Sequence, residues 1–282
     1  IILTQKVSLD FFLKTLCNTS EEFTMDIYQH FRKEEHGFID QVLSWKEQVE
    51  RTFSPKLTDF LDPREQQIIE MLIGTNHDDL KLSFFGGSNH NERKRAIIAP
   101  FYEEITQESY QLSLLQANYH EKFITLEHRD VMGTFLSLGI KRKKLGDIFA
   151  GNGKIQIVVA KEISTYVLTT LHSIKKANIT FEEIPLIHFI QMKNEWTESE
   201  KTVSSLRLDA VLKEIYHISR KDSAECIKKQ LVKVNYKVVE EVNFPLQEGD
   251  LISLRGKGRS KIVKMNGQSK KEKWKITIAI LK

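Results

Sequence analysis

Apolar and polar positions follow a helical period in the N-terminal part of the chain. From residue 26 to residue 53, apolar side chains recur every three or four positions, with Gly37 as a break. The run Asp62-Pro63-Arg64-Glu65 predicts a second helix, because it offers an N-cap, a proline at the first helical position and a first-turn carboxylate. This helix is expected to stop at Gly74. Residues 26–79 are therefore predicted to form an acidic helical domain.

The period of the pattern changes after residue 79. The runs 80–85 and 96–101 predict a hairpin-like pair of strands. The next segments predict the order strand, helix, strand, strand, helix, strand, at 111–118, 128–138, 146–149, 154–160, 161–174 and 178–184. This βαββαβ order predicts a ferredoxin-like domain over residues 80–186, with both helices on one face. RNA-recognition motifs share the layout with many enzymes, so the architecture alone does not select a function.

Residues 187–282 are predicted to form a third, compact domain. The polar stretch from Lys193 to Ser205 is interpreted as a linker edge, and two short helices follow it. The second helix fits a capping box, with Ser219 as N-cap and Asp222 at the third helical position. Short strands are predicted at 231–235, 237–239, 251–255, 261–265 and 274–281, the last two joined across Asn266-Gly267. The predicted fold class is α+β, in three domains.

The formal net charge of +4 conceals a gradient along the chain. Residues 1–79 carry 8 basic and 15 acidic side chains, residues 80–186 carry 14 and 11, and residues 187–282 carry 20 and 12. The net charge therefore rises from −7 through +3 to +8. A clustered cationic surface concentrates phosphate whatever the total charge, so the gradient indicates a polyanionic partner for the C-terminal domain.

The composition excludes several classes of protein. No run approaches the roughly 18 consecutive apolar residues that a membrane span requires, so no membrane insertion is predicted. Two cysteines are too few for a disulfide framework or a cysteine-based zinc site, and reduced, cytoplasmic thiols are expected. Residues 1–25 form a leader with two open interpretations: translation starts at Met25, or residues 1–24 form an amphipathic lead helix.

The C-terminal domain carries the most specific motifs in the sequence. Those motifs are Arg207-Leu208-Asp209, Ser219-Arg220, Val232-Lys233-Val234-Asn235, Gly249-Asp250 and Arg255-Gly256. In order and spacing they resemble the S-four RNA-binding domain. The resemblance implies two helices and a strand-built platform that binds structured RNA through its shape and backbone. One departure is Gln230, because the family often has glycine at this helix end.

Basic side chains of this domain are the candidate RNA contacts. Arg220 and Lys221 lie in the first turn of the predicted second helix, where unpaired N–H groups and the helix dipole also favour phosphate. The other candidates here are Arg207, Lys228, Lys229, Lys233, Lys237, Arg255, Lys257, Arg259 and Lys261. The alternative interpretation is a basic surface that is merely solvated.

The middle domain is less decisive about RNA. The predicted strand at 154–160 contains no aromatic residue, so base stacking on this sheet is not expected. Two basic runs are predicted to lie in loops, Arg93-Lys94-Arg95 and Lys141-Arg142-Lys143-Lys144. Both runs are candidate phosphate contacts, and for both the alternative is solvated loop charge.

Apparent catalytic motifs lack the residues that would complete them. His128-Arg129-Asp130 matches the catalytic-loop tripeptide of kinases, but no glycine-rich loop or Asp-Phe-Gly accompanies it. This tripeptide is expected to open the first helix of the middle domain. His77 stands beside two aspartates, but no second ligand pair has metal spacing, so neither a metal nor a cofactor is predicted.

Stretches outside the C-terminal domain resemble one family. They are Asp26-Ile27-Tyr28-Gln29-His30-Phe31-Arg32, Lys56-Leu57-Thr58-Asp59-Phe60-Leu61-Asp62-Pro63-Arg64-Glu65, Phe84-Phe85-Gly86-Gly87, Glu92-Arg93-Lys94-Arg95, Leu126-Glu127-His128-Arg129, and Leu138-Gly139-Ile140-Lys141-Arg142 with Gly146-Asp147-Ile148. Together with the S-four motifs, they make residues 26–282 similar to the YlmH family of bacterial ribosome-associated proteins. The resemblance implies rRNA and tRNA as partners, on the large ribosomal subunit carrying stalled peptidyl-tRNA. It also implies a role in ribosome-associated quality control and a link to cell division.

The hypothesis from the sequence is a non-catalytic, monomeric RNA-binding factor whose acidic domain faces away from RNA or meets a protein partner. The alternative is an RNA-modifying enzyme of the pseudouridine synthase type, because S-four modules are often appended to such enzymes. Those enzymes place a catalytic aspartate in an Arg-Leu-Asp context within a separate catalytic domain, whereas Asp209 belongs to the first helix of the module itself. A third hypothesis is a cell-division scaffold that acts through proteins alone.

Overall fold

The protein is described by a computed structural model over residues 28–29, 31–74, 79–190, 195–269 and 271–281. The two interpretations of residues 1–25, and His77 with the adjacent Asp78, lie outside the described residues. The chain divides into two compact units, one ending at Ile190 and the other beginning at Gln191.

The N-terminal part of the first unit combines two helices with a three-stranded antiparallel sheet. Its elements are α1 (His36–Thr52), β1 (Lys56–Leu61), α2 (Pro63–Ile73), β2 (Leu80–Phe85) and β3 (Lys94–Pro100). The strand order is β1-β3-β2. The helices cover one side of this sheet through buried Val42, Val49 and Ile69, which pack with Ala96 and Ile98 of β3.

The prediction of a helical domain over residues 26–79 is corrected by β1, which lies between its two helices. The strand has only six residues, which is too short for its pattern to be told apart from that of the flanking helices. Thr58 and Phe60 point into the interior, while Asp59 between them stays partly exposed. Since β1 pairs with β3, the sheet joins residues on both sides of the predicted boundary at residues 79 and 80.

The capping signals of α2 are confirmed. The backbone N–H of Glu65 donates to Asp62 Oδ1 at 2.9 Å, and the N–H of Asp62 donates to Glu65 Oε2 at 2.8 Å. The helix ends before Gly74, as predicted. Gly37 is not a break, because it lies in the first turn of α1.

The middle of the chain forms a second antiparallel sheet with two helices. Its elements are β4 (Leu112–Asn118), α3 (His128–Ser137), β5 (Leu145–Gly151), β6 (Lys154–Ala160), α4 (Lys161–Thr170) and β9 (Glu182–Ile184), with a small hairpin of β7 (Ser173–Ile174) and β8 (Ala177–Asn178). The strand order is β5-β6-β4-β9, with every neighbour antiparallel. This order confirms the ferredoxin-like prediction, and α3 begins at His128 as expected.

The two faces of the middle sheet have different partners. One face packs Leu115, Ile155 and Ile157 against Phe135 of α3 and Val167 of α4. The opposite face packs Leu114 and Val158 against Phe60 of β1 and against Leu186 and Phe189, beyond β9. A Cβ at Gly146 would stand 2.8 Å from the Phe60 ring, so only glycine allows this approach. Part of the face on which an RNA-recognition motif stacks bases is therefore covered by protein.

The run Arg93-Lys94-Arg95 does not behave as a solvated loop. Arg93 is 8% exposed and donates to the carbonyls of Leu145 and Phe60, at 3.2 and 2.9 Å. Arg95 is 5% exposed, and its guanidinium donates to the carbonyl of Thr58 at 2.7 Å.

The same Arg95 guanidinium also donates to the carbonyls of Tyr110 and Gln111, at 3.0 and 3.2 Å. The expectation that Arg93 and Arg95 contact phosphate is therefore corrected. Both guanidinium groups are buried and are occupied by backbone carbonyl oxygens of the same unit. Lys94, between them, is half-buried in β3.

The run at 141–144 is partly used inside the first unit as well. Asp59 of β1 pairs with Lys144 and, at 3.0 Å, with Lys143. Burial alone would raise the pKa of Asp59, but the hydrogen bonds and charges of the two lysines hold it below its usual value. The guanidinium of Arg142 donates to the carbonyl of Leu145. Lys141 is exposed to solvent.

The second unit is a six-stranded antiparallel sheet with two helices. Its elements are β10 (Trp196–Val203), α5 (Leu208–Tyr216), α6 (Arg220–Lys228), β11 (Val232–Val234), β12 (Lys237–Val238), β13 (Leu251–Leu254), β14 (Gly258–Gln268) and β15 (Trp274–Leu281). The strand order is β10-β15-β14-β13-β11-β12. One sheet face, through Val232, Ile252, Ile262 and Ile276, packs on buried Leu212 of α5.

Two predictions for this unit are wrong. The stretch interpreted as a linker edge contains the edge strand β10, whose polar side chains hide the strand pattern because much of the strand faces water. The predicted turn at Asn266-Gly267 lies within β14. Here the register with β15 shifts between Met265 and Gln268, and Gly267 takes a φ of 84°, so the pair makes a bulge.

None of the helices in the described part of the chain combines the length and the apolar character required to cross a membrane. No group of three or more His, Cys, Asp and Glu side chains is arranged to hold a metal ion within the described ranges.

The buried guanidinium of Arg95 generates a prediction about stability. Substitution Arg95→Ala leaves three carbonyl oxygens without their donor, so we expect the free energy of unfolding to fall by about 1–3 kcal/mol. Urea denaturation measures this loss, and Lys94→Ala is the matched control, expected to change stability by less than about 0.5 kcal/mol. RNA affinity should stay unchanged in Arg95→Ala. An affinity loss at full stability would restore the phosphate-contact interpretation.

Candidate nucleic-acid interface

The helices α5 and α6 place three of the predicted basic residues at neighbouring helix starts. Arg207 is the N-cap residue of α5, and the buried side of that helix fixes its position. Ser219 caps α6, because its Oγ accepts from the N–H of Asp222 at 3.0 Å. Arg220 and Lys221 then occupy the first turn of α6, as predicted, and both are exposed.

Asp209 joins the two arginines. Its carboxylate is 2% exposed and accepts from Arg220 Nε at 2.8 Å, through Oδ2, and from Arg207 Nε at 3.1 Å, through Oδ1. Arg207 and Arg220 themselves are 43% and 58% exposed. Burial alone would raise the pKa of Asp209, but the Arg220 hydrogen bond and the charges of both arginines hold it below its usual value.

This arrangement orients two cations with one buried anion. A guanidinium has five N–H donors, and in the contacts described Arg220 uses one of them, Nε–H, on Asp209, while its side chain is 58% exposed. The cluster of Arg207, Asp209 and Arg220 keeps a net charge of +1, and Lys221 adds another. We call these four residues the arginine clamp. Such a cluster can bind phosphate with little loss of side-chain freedom.

A second basic group lies on the outer face of the sheet, away from the helices. Lys233 of β11 stands opposite Ser253 of β13, which stands opposite Arg259 of β14. Neighbours of these residues in the strands point inward to the helices, so the three form one row on the outer face. Lys261 lies two residues beyond Arg259 on the same face and is exposed.

A third group gathers at one end of α6. The N–H of Arg255 donates to the carbonyl of Leu231 at 2.9 Å, which holds the turn between β13 and β14 close to the chain that leaves α6. Arg255 and Lys257 are exposed in this turn, and Lys228 is exposed at the last position of α6. Lys229 pairs with Glu225 at 2.6 Å, so part of its charge is neutralised.

The predicted residues are therefore divided between the two faces of one sheet. The arginine clamp lies on the helix side, Lys233 and Arg259 lie on the outer side, and Lys237 is exposed in the edge strand β12. The opposite edge strand, β10, carries Glu198 and Glu200, both exposed. The basic residues predicted to contact RNA thus lie on the helix side and on the β11–β14 part of the sheet, while further exposed lysines lie in β14, β15 and the segment between them.

The role of Asp209 was missed by the sequence analysis. Arg207-Leu208-Asp209 was recognised as a motif, but the carboxylate received no function. The available signal was spacing. Asp209 stands two positions after the basic N-cap Arg207, in the first turn of α5, but its contact with the start of α6 depends on how the two helices pack, which the sequence does not show.

Three family models match consecutive parts of the chain. Residues 34–103 match the model described as "YlmH, N-terminal", and residues 106–188 match "Putative RNA-binding domain in YlmH". Residues 206–252 match the S4 domain, which is the S-four module of the sequence analysis. The first match ends after β3, in agreement with the sheet that joins β1 to β3.

Relatives of known name span most of the chain. A Bacillus subtilis (strain 168) protein named "Ribosome-associated protein quality control protein P2" is 41% identical over 252 residues, which is 89% of this chain and 97% of that protein. The solved structure of "Cell division protein ylmH from Streptococcus pneumoniae" is similar with a TM-score of 0.52 and 27% identity, over 58% of this chain and 99% of that one. With three matching family models and a 41% identical relative, the chain belongs to the YlmH family.

Proposed function

We propose that this protein is a non-catalytic factor that binds rRNA and tRNA on the large ribosomal subunit and acts in quality control of stalled peptidyl-tRNA. The observation that carries the proposal is the arginine clamp. In this clamp one buried carboxylate holds two half-exposed guanidinium groups, and Lys221 lies beside them. The name of the B. subtilis relative supports ribosome association and quality control. The name of the similar S. pneumoniae protein supports a link to cell division. Association with ribosomes also favours a cytoplasmic location.

The clamp suits an RNA backbone for a physical reason. Asp209 removes part of the positive charge but restrains both arginines, and Lys221 stands beside Arg220 at a helix start whose N–H groups favour anions. Restrained guanidinium groups match phosphate oxygens in pairs, which gives orientation as well as affinity. Contacts of this kind read the shape of a folded RNA and not its sequence.

Cations on both faces of one sheet favour contact with more than one RNA element. The arginine clamp and the row of Lys233 and Arg259 are separated by the thickness of the sheet and its helices. One straight RNA helix presents phosphates to a single face, whereas two elements, or a bent one, can reach both. This division supports the proposal that rRNA and tRNA are bound together.

The remaining parts of the chain have different roles in this proposal. The middle domain offers Lys141 as an exposed cation, with Arg142 and Lys143 partly engaged inside the unit. The N-terminal part carries net negative charge, which disfavours RNA and leaves it available for a protein partner. We propose that the protein is a monomer, and that its contacts with RNA are made chiefly by the second unit.

The alternative of a pseudouridine synthase finds no support in the geometry of Asp209. In such an enzyme an aspartate must reach the substrate base. Here the carboxylate of the Arg-Leu-Asp motif is 2% exposed and both oxygens accept hydrogen bonds from arginines. An anion in this environment restrains its neighbours and has no open side for a substrate. These contacts favour the non-catalytic proposal.

The charge assignment generates a prediction about salt dependence. The triple variant Lys221→Ala, Arg255→Ala, Lys257→Ala removes three exposed cations that make no described ion pair. We expect its co-sedimentation with large ribosomal subunits to weaken by a factor of about 10 or more at physiological salt. If each cation contacts one phosphate, the slope of log K against log salt should fall by about 2 to 3.

The matched control for this experiment removes the same charge elsewhere in the second unit. Lys264→Ala, Lys271→Ala, Lys275→Ala takes three exposed lysines from β14, β15 and the segment between them. This control should keep most of the affinity and most of the slope. Equal losses in both variants would mean that net charge, and not this surface, binds the ribosome.

The buried carboxylate generates a prediction about pH. Because the folded-state pKa of Asp209 is depressed, its stabilisation is fully present above the unfolded value of about 3.9 and is lost as pH falls through the folded-state pKa. We expect Asp209→Asn to reduce the free energy of unfolding at pH 7 by about 1–3 kcal/mol, with the difference from wild type shrinking below about pH 4.

The same Asp209→Asn variant separates positioning from simple charge. If Asp209 orients the arginines, the variant should bind large subunits several-fold more weakly at pH 7, although it carries one negative charge fewer. Tighter binding would show that the carboxylate only repels phosphate, and the clamp argument would then be wrong. Urea unfolding and co-sedimentation on the same samples provide both measurements.

A further inference from the structure

The hairpin between β11 and β12 has an unusual residue at its tip. Val234 and Lys237 are paired, so Asn235 and Tyr236 alone make the turn. Their φ angles are 47° and 67°, which is the left-handed region at both central positions. A two-residue turn with positive φ at both positions is the type I′ turn, in which asparagine is favoured first and glycine second.

Tyr236 occupies the position that favours glycine. An aromatic side chain in the left-handed region crowds its own backbone, so this conformation persists only where the surroundings enforce it. Asparagine and glycine would both accept the same φ more readily. A tyrosine here therefore opposes the stability of the hairpin, and strained residues of this kind gather at binding sites.

Hydrogen bonds of Asn235 hold the turn in this conformation. Its side-chain Nδ2 donates to Asp250 Oδ1 at 2.8 Å, and its Oδ1 accepts from the N–H of Leu251 at 3.0 Å. The N–H of Asn235 in turn donates to the carbonyl of Leu251 at 2.8 Å. Three hydrogen bonds thus fix the turn to β13, and the partly exposed Tyr236 is held at the tip with little freedom to relax.

The surroundings of the tip are cationic. Lys233 lies in β11 opposite Val238, on the outer face of the sheet, whereas Lys237 follows Tyr236 directly and pairs with buried Val234 on the other face. Both lysines are exposed. Lys233 also begins the row that continues through Ser253 to Arg259, over neighbouring strands about 4.8 Å apart. Phosphates bound along this row would bring the bases of a loop or a bulge towards the hairpin.

We propose that Tyr236 is a stacking site for an unpaired RNA base, with Lys233 of the outer face holding an adjacent phosphate. The inference rests on the proposed RNA binding. It adds that the outer face of the sheet binds RNA with an unpaired nucleotide. Stacking on an aromatic ring accepts any base, so the site selects an unpaired nucleotide and not a sequence. The gain per stacked base corresponds to a factor of about 5 or more in affinity.

Two RNA hairpins test the proposal, one fully paired and one identical except for a single bulged nucleotide. The full-length protein should bind the bulged hairpin more tightly than the paired one, by a factor of about 5 or more. Tyr236→Asn should lose this preference while it keeps its affinity for the paired hairpin. Its melting temperature should be equal or higher, because asparagine accepts the left-handed conformation. Tyr236→Phe should keep the preference, since the ring is retained.

A matched control and two opposing results make the test decisive. Val238→Ala truncates the 46% exposed neighbour in the same hairpin and should leave the preference unchanged. A bulge preference that survives in Tyr236→Asn, or that disappears in Tyr236→Phe, would overturn the stacking site. In parallel, the Lys221, Arg255 and Lys257 variant reports on RNA binding itself. If that variant loses affinity while Tyr236→Asn keeps its preference, the stacking site alone fails. If that variant keeps full affinity for both hairpins, the proposed RNA-binding function fails with it.

Discussion

A charged group that is buried away from water needs hydrogen-bond or ion-pair partners within the protein. This constraint decides which basic side chains of the protein remain available to contact RNA. In the first unit two arginines are buried. Arg93 and Arg95 are enclosed and direct their donors to backbone carbonyls that join β1, β3 and the middle sheet. In the second unit the buried anion Asp209 has two cationic partners that remain half-exposed. The same requirement therefore buries Arg93 and Arg95 and leaves Arg207 and Arg220 half-exposed.

In the first unit, one face of the middle sheet is used for internal packing. Phe60 and the segment around Leu186 cover part of the middle sheet, so the face that would stack bases in an RNA-recognition motif serves instead as packing surface. Asp59 takes up Lys143 and Lys144 in the same region. A ferredoxin-like topology is retained, but its usual surface for single-stranded RNA is largely committed to internal contacts. The topology of a domain and the use of its surface are thus separate properties.

The second unit combines rigidity with exposed charge. The sheet separates the arginine clamp from the row of Lys233 and Arg259, and β10 places acidic side chains at the far edge. In the proposed function, exposed Glu198 and Glu200 disfavour phosphate at the β10 edge, whereas exposed Lys233 and Lys237 favour it near the β12 edge. Membership of the YlmH family agrees with this organisation, since the S4 match covers the helices, β11, β12 and the start of β13.

The sequence by itself determined the βαββαβ order, the cap of α2 at Asp62, the start of α6 at Ser219 and the family, because local periods and capping residues need no distant partner. It did not determine β1 or β10, whose short or polar patterns become strands only through pairing with β3 and β15. The sequence located the basic residues but did not show which of them are buried and which are exposed. Whether an arginine faces RNA or a buried carbonyl depends on what the fold places around it, as Arg95 and Arg220 show, and only the tertiary structure supplies those neighbours.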